Sequence, residues 1–405
     1  MGVTLAEPCD TVFILGAGFS FDAGIPLMSG FVDQMWEFAI RRKGPDGKQL
    51  SDDDIKTFDD AAKVRFELNE FHGRAAFDDR NIEDILSLLS FGTFAPTPGR
   101  KNRLGTMTKA IARTIELTCG VKHPGFDFKT GRHTIIEEGP DLYRKFWWAF
   151  LALKAQGHRT PSIITFNYDL VLERSLLQCL VSLHYDAFEK RFPHPAIRIQ
   201  HRYDLLTPSA YEISYAAFGH DHRKQGIIPK AVTGVPPNGT LDIEILKLHG
   251  SLNFPSRSRD RQLEPSNLAK AVDSPLILPP IFNKQSTAAQ AGIWSAAMAR
   301  LRSAKNVIIV GYSLPRTDIY MQYFLKAALG PNVDLNRIVV FDPAIYAQGG
   351  GESMRQRYEE CFAPQLRPRI AFRPEKLGAG AVGDNSGTAA HFVHVLQNMP
   401  GTIVF

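Results

Sequence analysis

The sequence predicts an α/β protein: a doubly wound, Rossmann-like parallel sheet with an inserted helical subdomain. Short runs rich in Val and Ile alternate with stretches of helical periodicity, and such alternation is typical of parallel sheets. The runs are apolar throughout, as expected for strands buried on both faces. With 405 residues, 44% of them hydrophobic, the chain can bury a full-sized core.

The first predicted strand, Thr11–Leu15, ends in Gly16-Ala17-Gly18, so the chain opens as a strand, a glycine turn and a helix. Four further strands of the same apolar kind are predicted at 162–165, 244–248, 306–310 and 337–341. Helical patterns follow several of them, at 169–180, at 318–328 and in a last short helix at 389–397.

Two insertions interrupt this alternation. Helical patterns at 31–42, 54–70, 81–90 and 142–155, broken by a polar stretch at 97–132, predict a helical insertion over about 31–155. Residues 186–240 show no sustained period, which predicts an irregular insertion that covers a site or mediates contacts. We expect 1–345 to form one catalytic domain and 346–405 to pack on it as a C-terminal extension, with a glycine joint at 349–351 and a Gly-rich loop at 377–387.

Charge and cysteine content narrow the class of protein only a little. Lys and Arg number 47 against 42 Asp and Glu, a net charge of +5, which is compatible with an anionic ligand but requires none. The four cysteines, Cys9, Cys119, Cys179 and Cys361, are too widely spaced for a zinc knuckle, so we expect reduced thiols and no zinc. Without a signal-peptide pattern or an apolar stretch of ~20 residues, the expected location is cytoplasmic, with no membrane contact.

The glycine turn is the first candidate binding element. Gly16 and Gly18 would let the backbone approach a phosphate, and the helix start at Ser20 would supply N–H groups. Glycine turns of this kind also occur for packing reasons alone. Gly24 lies too far along the chain for the dehydrogenase fingerprint, which disfavours an ordinary dehydrogenase.

Residues 16–26, GAGFSFDAGIP, resemble the opening motif of the sirtuin (SIR2) superfamily. Three more segments resemble its motifs in the same chain order: TFNYD at 165–169, LHGSL at 248–252 and GYSL at 311–314. TFNYD and GYSLPRTD, together with NIED at 81–84 and ILPP at 277–280, are similar to the SIR2-like branch of bacterial antiphage defence. The resemblance covers about residues 12–343 and implies NAD⁺ as the substrate.

Two departures from the family pattern bear on the reaction. Zinc-containing sirtuins carry four cysteines after the HG motif, whereas here no cysteine lies between Cys179 and Cys361. Residues 27–31, LMSGF, replace the segment in which those sirtuins have an arginine that orients the nicotinamide ribose. Both departures put protein deacylation in doubt and favour the branch without a zinc module.

Asn167 and His249 are the expected catalytic residues. Cleavage of the bond between nicotinamide and ribose builds positive charge at the anomeric carbon, so the ribose must be held and a nucleophile placed. Asn167 fits as a neutral amide that holds water or a ribose hydroxyl, although an Asn there could also cap the next helix. His249 fits as a general base toward a ribose hydroxyl, because imidazole titrates near ~6.5, although a strand-end His is often structural.

The expected NAD contacts lie in the glycine turn, the LHGS segment and two strand ends, because open α/β sheets bind ligands beyond the carboxyl ends of their strands. These residues are Gly16, Ala17, Gly18, Ser20, Asp22, Gly250, Ser251, Gly311, Ser313 and Asp342. Gly311 and Ser313 are expected at a phosphate or ribose, and Asp342 at the adenosine ribose. Asp22 could equally cap a helix, and helix caps are expected of Asp169 and Asp318. No metal site is expected, because His220 and His222 have no third ligand nearby in the sequence.

The leading hypothesis is an NAD⁺ glycohydrolase that releases nicotinamide and ADP-ribose, used, by resemblance, for abortive infection in antiviral defence. One alternative is a sirtuin-like deacylase or ADP-ribosyltransferase, and another is a non-catalytic module that binds NAD or ADP-ribose. Regulation is expected from a homo-oligomer or a separate partner such as a HerA-type ATPase. Basic clusters at 100–103, 190–191 and 257–261 are expected on solvated surface, with nucleic-acid contact left open.

Overall fold

The structure, a computed structural model, describes residues 10–71, 78–91, 102–127, 132–134, 140–156, 158–182, 196–201, 209–218, 221–234, 239–255, 263–273, 275–278, 288–316, 318–345, 350–372, 388–398 and 400. The expected Gly-rich loop at 377–387 and the basic clusters at 190–191 and 257–261 lie outside these residues, as does most of the cluster at 100–103.

Thirteen strands occur within the described residues. They are β1 Thr11–Leu15, β2 Gly125–Asp127, β3 Arg132–Thr134, β4 Ser162–Thr165, β5 Ile197–His201, β6 Ser209–Phe218, β7 Asp221–Thr233, β8 Leu241–Lys247, β9 Gly250–Pro255, β10 Pro275–Ile277, β11 Asn306–Val310, β12 Arg337–Phe341 and β13 Ile370–Phe372.

Twelve α-helices occur in the same described ranges. They are α1 Ala17–Ser20, α2 Met28–Arg41, α3 Asp52–Phe71, α4 Ile82–Phe91, α5 Arg103–Thr118, α6 Leu142–Ala155, α7 Val171–Val181, α8 Ser266–Ala269, α9 Ala288–Ser303, α10 Ile319–Leu329, α11 Gly350–Cys361 and α12 Ala389–Asn398. Short 3₁₀ turns form at Phe21–Ala23, Pro343–Ile345 and Arg367–Arg369.

Nine strands form one sheet in the order β13-β12-β11-β1-β4-β8-β5-β6-β7. The seven strands from β13 to β5 are parallel, and β6 and β7 extend the sheet as antiparallel neighbours. Chain order runs outward from β1 in one direction through β4 and β8 and in the other through β11 and β12. The predicted fold class is therefore confirmed, and the switch in strand order falls between β1 and β11.

The central strand β1 shows why the sheet needs helices on both faces. All five of its residues are buried, so neither face is open to solvent there. The Phe13 ring lies 6.3 Å from Phe150 of α6 and 5.4 Å from Phe392 of α12, which places these two helices on one face. Helices α2 to α5 instead pack against one another, as expected for an inserted helical subdomain.

Three expectations about irregular structure were wrong. The stretch at 97–132 contains α5, which buries Met107, Ile111 and Ile115 along one helical face, and its flanking Gly and Pro residues obscured that period. The segment at 186–240 contains β5, β6 and β7, which pair with one another and with β8 through backbone contacts that a period in the sequence does not report. The glycine joint at 349–351 is also not free of regular structure, because α11 begins at Gly350.

Candidate functional site

The glycine turn after β1 packs tightly against the turn after β11. The Gly16 N–H donates to Val310 O and the Gly18 N–H to Gly311 O, both at 2.9 Å. A Cβ atom on Gly16 would lie 2.4 Å from Gly311 O, and Gly311 itself has a φ of +65°. These glycines are therefore needed for the close packing of the two turns, whether or not they also contact a ligand. Two of the three N–H groups in Gly16-Ala17-Gly18 are committed to the protein, and Ala17 stands exposed at the tip of the turn.

Asn167 connects the end of β4 to this glycine turn. Its side-chain Nδ2 donates to Gly16 O at 2.9 Å and to Ser20 Oγ at 2.8 Å. Its backbone N–H donates to Thr165 Oγ1 at 3.1 Å, which fixes the backbone as well. The structure thus brings together Asn167, Gly16 and Ser20, three of the expected site residues, and holds the amide in one orientation.

The N-cap residue of α7 is Leu170, and Asp169, which precedes it, bonds to the first helical N–H where Asn167 does not. The Asp169 Oδ1 atom accepts from Val171 N–H at 3.0 Å, at the start of α7. The buried Ser20 hydroxyl accepts from Asn167 and also lies near enough to the Asp169 carboxyl to lower its pKa. Burial raises the pKa of Asp169, and the nearby Lys247 cation opposes that rise. The cap expected at Asp318 is also present, since its Oδ1 accepts from Met321 N–H at 3.2 Å.

His249 is 5% exposed and lies among aromatic rings, one residue beyond the Leu248 that follows β8. Its ring centroid is 5.3 Å from Phe166, 6.3 Å from Tyr168 and 6.2 Å from Trp294. Phe166 and Tyr168 flank Asn167 in the sequence, so His249 packs against both neighbours of the other expected catalytic residue. A histidine in such surroundings keeps a single ring orientation.

Gly250 and Ser251 are buried within the segment that follows His249. Gly250 has a φ of +91°, and a Cβ atom there would lie 1.9 Å from Leu276 O, so only glycine fits between β9 and β10. Ser251 is 0% exposed and donates from Oγ to Tyr168 O at 3.3 Å. Both residues hold the site together, and their placement provides no direct support for a contact with NAD.

Ser313 and Asp342 lie at the other side of β1, beyond β11 and β12. Ser313 is half-buried, and its carbonyl accepts from Arg357 Nε at 3.1 Å. The Asp342 Oδ1 atom accepts from Ala344 N–H at 2.9 Å, and burial raises the pKa of Asp342 while Arg357 lowers it. Arg357 of α11 thus brings a positive charge to the strand ends where phosphate and ribose contacts are expected.

Sequence reasoning missed the aromatic residues that surround His249. Phe166 lies between the rings of His249 and Tyr312, with 4.7 Å separating its centroid from that of Tyr312. Tyr312 donates from its hydroxyl to Asp318 Oδ2 at 2.8 Å, and Tyr168 donates to Leu278 O at 2.7 Å. The signal was present in the motifs, because Phe166, Tyr168 and Tyr312 are the aromatic letters of TFNYD and GYSL.

The sequence also predicted reduced cysteine thiols, a binding or capping role for Asp22, and no metal site. Burial raises the pKa of Cys119 to about 11, that of Cys179 to about 12 and that of Cys361 to about 11, so these thiols stay protonated and free. Asp22 is exposed in the 3₁₀ turn after α1, and partial burial raises its pKa. Among the described residues, no group of three or more His, Cys, Asp or Glu could hold a metal ion. The absence of zinc stays a prediction.

Two cavities lie away from this cluster. One, of about 610 Å³, is lined by Lys326, Val333 and Arg369 among others, and a smaller one lies between α2 and α3. Neither includes Asn167 or His249. No helix in the described part of the chain is long and apolar enough to cross a membrane.

The fold is that of a doubly wound α/β protein, a class that binds ligands where the strand order switches. The glycine turn lies at this point in the sheet, and Asn167 and His249 follow β4 and β8, one and two strands away on the far side of β1. The structure therefore brings together the two expected catalytic residues and the start of the expected binding turn, whereas Ser313 and Asp342 lie across β1 from them.

No family model matches the sequence, and no curated protein matches it. Among solved structures, the chain is similar to Sir2Tm bound to a propionylated peptide, with 10% identity, a TM-score of 0.35, and coverage of 98% of this chain and 94% of that one. It is also similar to two mutants of a Sir2 homologue in complex with ADP-ribose. The serine-to-alanine mutant has 14% identity and a TM-score of 0.32, with coverage of 87% of this chain and 91% of that one. The histidine-to-asparagine mutant has 14% identity and a TM-score of 0.30, with coverage of 88% of this chain and 94% of that one.

Proposed function

We propose that this chain is an NAD⁺ glycohydrolase that cleaves NAD⁺ to nicotinamide and ADP-ribose. The observation that carries the proposal is the fixed Asn167 amide beside the buried His249. The Asn167 side chain is held by Gly16 O and Ser20 Oγ, and His249 packs on the residues at either side of it. This arrangement suits a reaction in which a ribose is held and a nucleophile is oriented.

Each of the two residues has one chemical task. Because Nδ2 of Asn167 is taken up by two protein acceptors, its Oδ1 is the atom left to accept from water or a ribose hydroxyl. His249 would accept a proton from a ribose hydroxyl, a general-base role worth roughly 10²–10⁴ in rate. The aromatic rings of Phe166, Tyr168 and Trp294 would exclude water around the imidazole.

The residues present suit a dinucleotide in part. Gly16 and Gly18 pack directly against Gly311, which leaves no space for a phosphate between them. A ligand would therefore meet the turn at the exposed Ala17. The neighbouring strand ends carry three polar groups: the hydroxyl of Ser313, the carboxyl of Asp342 and the positive charge of Arg357. These groups match the ribose and pyrophosphate of NAD⁺ in chemical type.

Glycohydrolysis is favoured over deacylation by the cysteines. The sequence has no cysteine between Cys179 and Cys361, the part of the chain where zinc-containing sirtuins carry four. The biological role that we propose, depletion of NAD⁺ in antiphage defence under control of a homo-oligomer or a HerA-type partner, rests on the sequence resemblance.

The test is to incubate the purified chain with NAD⁺ and no peptide, across a range of protein concentration, and to quantify nicotinamide and ADP-ribose. The proposal expects equal amounts of both products. Nicotinamide release that requires an acyl-lysine peptide or a protein acceptor would identify the deacylase or transferase alternative. Binding of NAD⁺ without turnover, with and without the partner, would identify the non-catalytic module.

A further inference from the structure

A buried ion pair lies directly behind the candidate site. Lys247 ends β8, and Glu173 lies in the first turn of α7; their side chains are 1% and 0% exposed, and Nζ lies 3.0 Å from Oε1. Burying two charges costs desolvation energy that the attraction between them often fails to recover. Stability alone is therefore a weak reason for this pair, and its position suggests another role.

Lys247 links the loop after β4 to the segment that contains His249 through side-chain hydrogen bonds. Its Nζ donates to the carbonyl oxygen of Asp169 as well as to Glu173. Two backbone bonds run parallel to that contact: Leu248 N–H donates to Thr165 O and Leu252 N–H donates to Tyr168 O, both at 2.9 Å. The loop carrying Asn167 is thus tied to the chain on either side of His249.

The position of Asp169 decides the orientation of Asn167. Asn167 lies two residues before Asp169, its Nδ2 donates to Gly16 O and Ser20 Oγ, and the Ser20 hydroxyl lies near enough to the Asp169 carboxyl to lower its pKa. A shift of Asp169 would move Ser20 or release its hydrogen, and the Asn167 amide would lose its fixed orientation. The chain of contacts runs from Glu173 through Lys247 to Asp169.

His201 of β5 also faces Glu173, with 3.5 Å between Nε2 and Oε1, and the Asp169 carboxyl lies near enough for Glu173 to raise its pKa. The His201 Nδ1 atom lies 3.3 Å from the carbonyl of Ile245, an acceptor, so Nδ1 carries the proton. Burial, reinforced by Lys247, lowers the pKa of His201 to about 3. His201 is therefore neutral near pH 7, and Lys247 is the cation that pairs with Glu173.

We propose that Lys247 and Glu173 are a positioning pair that fixes Asn167 relative to His249. The inference rests on the proposed function, because it concerns the same two residues. Neither member of the pair touches the substrate. The pair acts through Asp169 and Ser20, and its loss would misplace the Asn167 amide without removing it.

The main test replaces both members at once, as Lys247→Met with Glu173→Leu, so that neither member is left as an unpaired buried charge. The expected result is a kcat about 10²-fold lower, as for a small misplacement of a catalytic group, with KM and Tm close to wild type. Hydrogen exchange at the Leu248 and Leu252 amides should become faster, which reports the loosened contact independently of any activity.

The matched control is a second ion pair on the same strand. Arg300 of α9 lies 2.7 Å from Glu244 in the middle of β8, three residues before Lys247. Arg300→Met with Glu244→Gln should leave kcat and the exchange of Leu248 and Leu252 unchanged. An equal loss of kcat in this control would overturn the positioning role of Lys247.

A second variant covers the case in which the double variant does not fold. Glu173→Gln keeps an oxygen for Lys247 but replaces the ion pair with a hydrogen bond from the ammonium to a neutral amide, so a smaller rise in exchange at Leu248 and Leu252 is expected. Unchanged exchange in the variants overturns the inference, even if wild-type protein cleaves no NAD⁺. A wild type without NAD⁺ cleavage, but with the expected exchange, would overturn only the proposed function.

Discussion

The two sides of β1 differ in how their strand ends are built. On the side of β4 and β8, Asn167 is held by two side-chain hydrogen bonds and His249 is enclosed by aromatic rings. On the side of β11 and β12, the polar groups are the half-buried Ser313 hydroxyl and the Arg357 side chain, because both backbone groups of Gly311 are bonded within the protein. Rigid side chains suit bond cleavage, whereas accessible polar groups suit binding. We infer that the first side carries the reaction and the second holds the ligand.

The largest expected effect lies on the reaction side. Asn167→Ala and His249→Ala should each lower the rate of NAD⁺ cleavage by roughly 10²–10⁴, because each removes a positioning or proton-transfer function. The measurement is steady-state nicotinamide release at saturating NAD⁺. The controls are Asn398→Ala and His394→Ala on α12, which should cleave at the wild-type rate. Wild-type rates in Asn167→Ala and His249→Ala would place the reaction elsewhere.

The contact between the turns after β1 and β11, where the two sides meet, should not tolerate a larger side chain. At Gly311, with a φ of +65°, an added Cβ would lie 2.4 Å from Phe19 N, so Gly311→Ala should cost about 2–5 kcal/mol of unfolding free energy. Gly30 of α2 is the matched control, because a Cβ there meets nothing within 4 Å and Ala should stabilise the helix by about 0.5–1 kcal/mol. Denaturant unfolding of both variants checks the contrast, and equal stabilities would contradict the close packing.

Variants on the binding side should affect KM more than kcat. Ser313→Ala removes one hydroxyl at the proposed ligand contact, which should raise KM for NAD⁺ by about 2–10-fold at nearly constant kcat. The comparison with Ser303→Ala, at the exposed end of α9, corrects for general effects of the substitution. A fall in kcat with unchanged KM would mean that the two sides are not divided as inferred.

The smallest expected effect is on the pH dependence of stability. Burial raises the pKa of Asp342 above its unfolded value, so between the two values the folded protein binds more protons than the unfolded chain. The unfolding free energy should therefore fall as pH rises through this window. In Asp342→Asn, which keeps an oxygen to accept from Ala344 N–H, the fall should be shallower. Melting curves at closely spaced acidic pH values measure the slope, and an unchanged slope would mean that Asp342 is not the responsible carboxyl.

Apolar runs in the sequence predicted most of the parallel strands, but they did not predict which residues meet at the candidate site. The predicted strands at 11–15, 162–165, 306–310 and 337–341 match the structure residue for residue, because buried parallel strands are continuous apolar runs with polar or glycine ends. The contact of Asn167 with Gly16 could be anticipated only in outline, since it joins residues 151 positions apart. The Lys247–Glu173 pair and the rings around His249 depend on such distant pairings, which no local period encodes.

The placement of β1 also has a consequence for folding. Its neighbours are β4 and β11, and the side-chain contact between Asn306 and Thr11 spans 295 positions. Non-local pairing of this kind is slow, because loop-closure entropy is lost before the contacts form. During synthesis, the first strand must wait for β11 to emerge before its second edge is covered. The contact between the Gly16 and Gly311 turns therefore forms late, and a nascent chain whose β11 has not yet emerged cannot have an intact site.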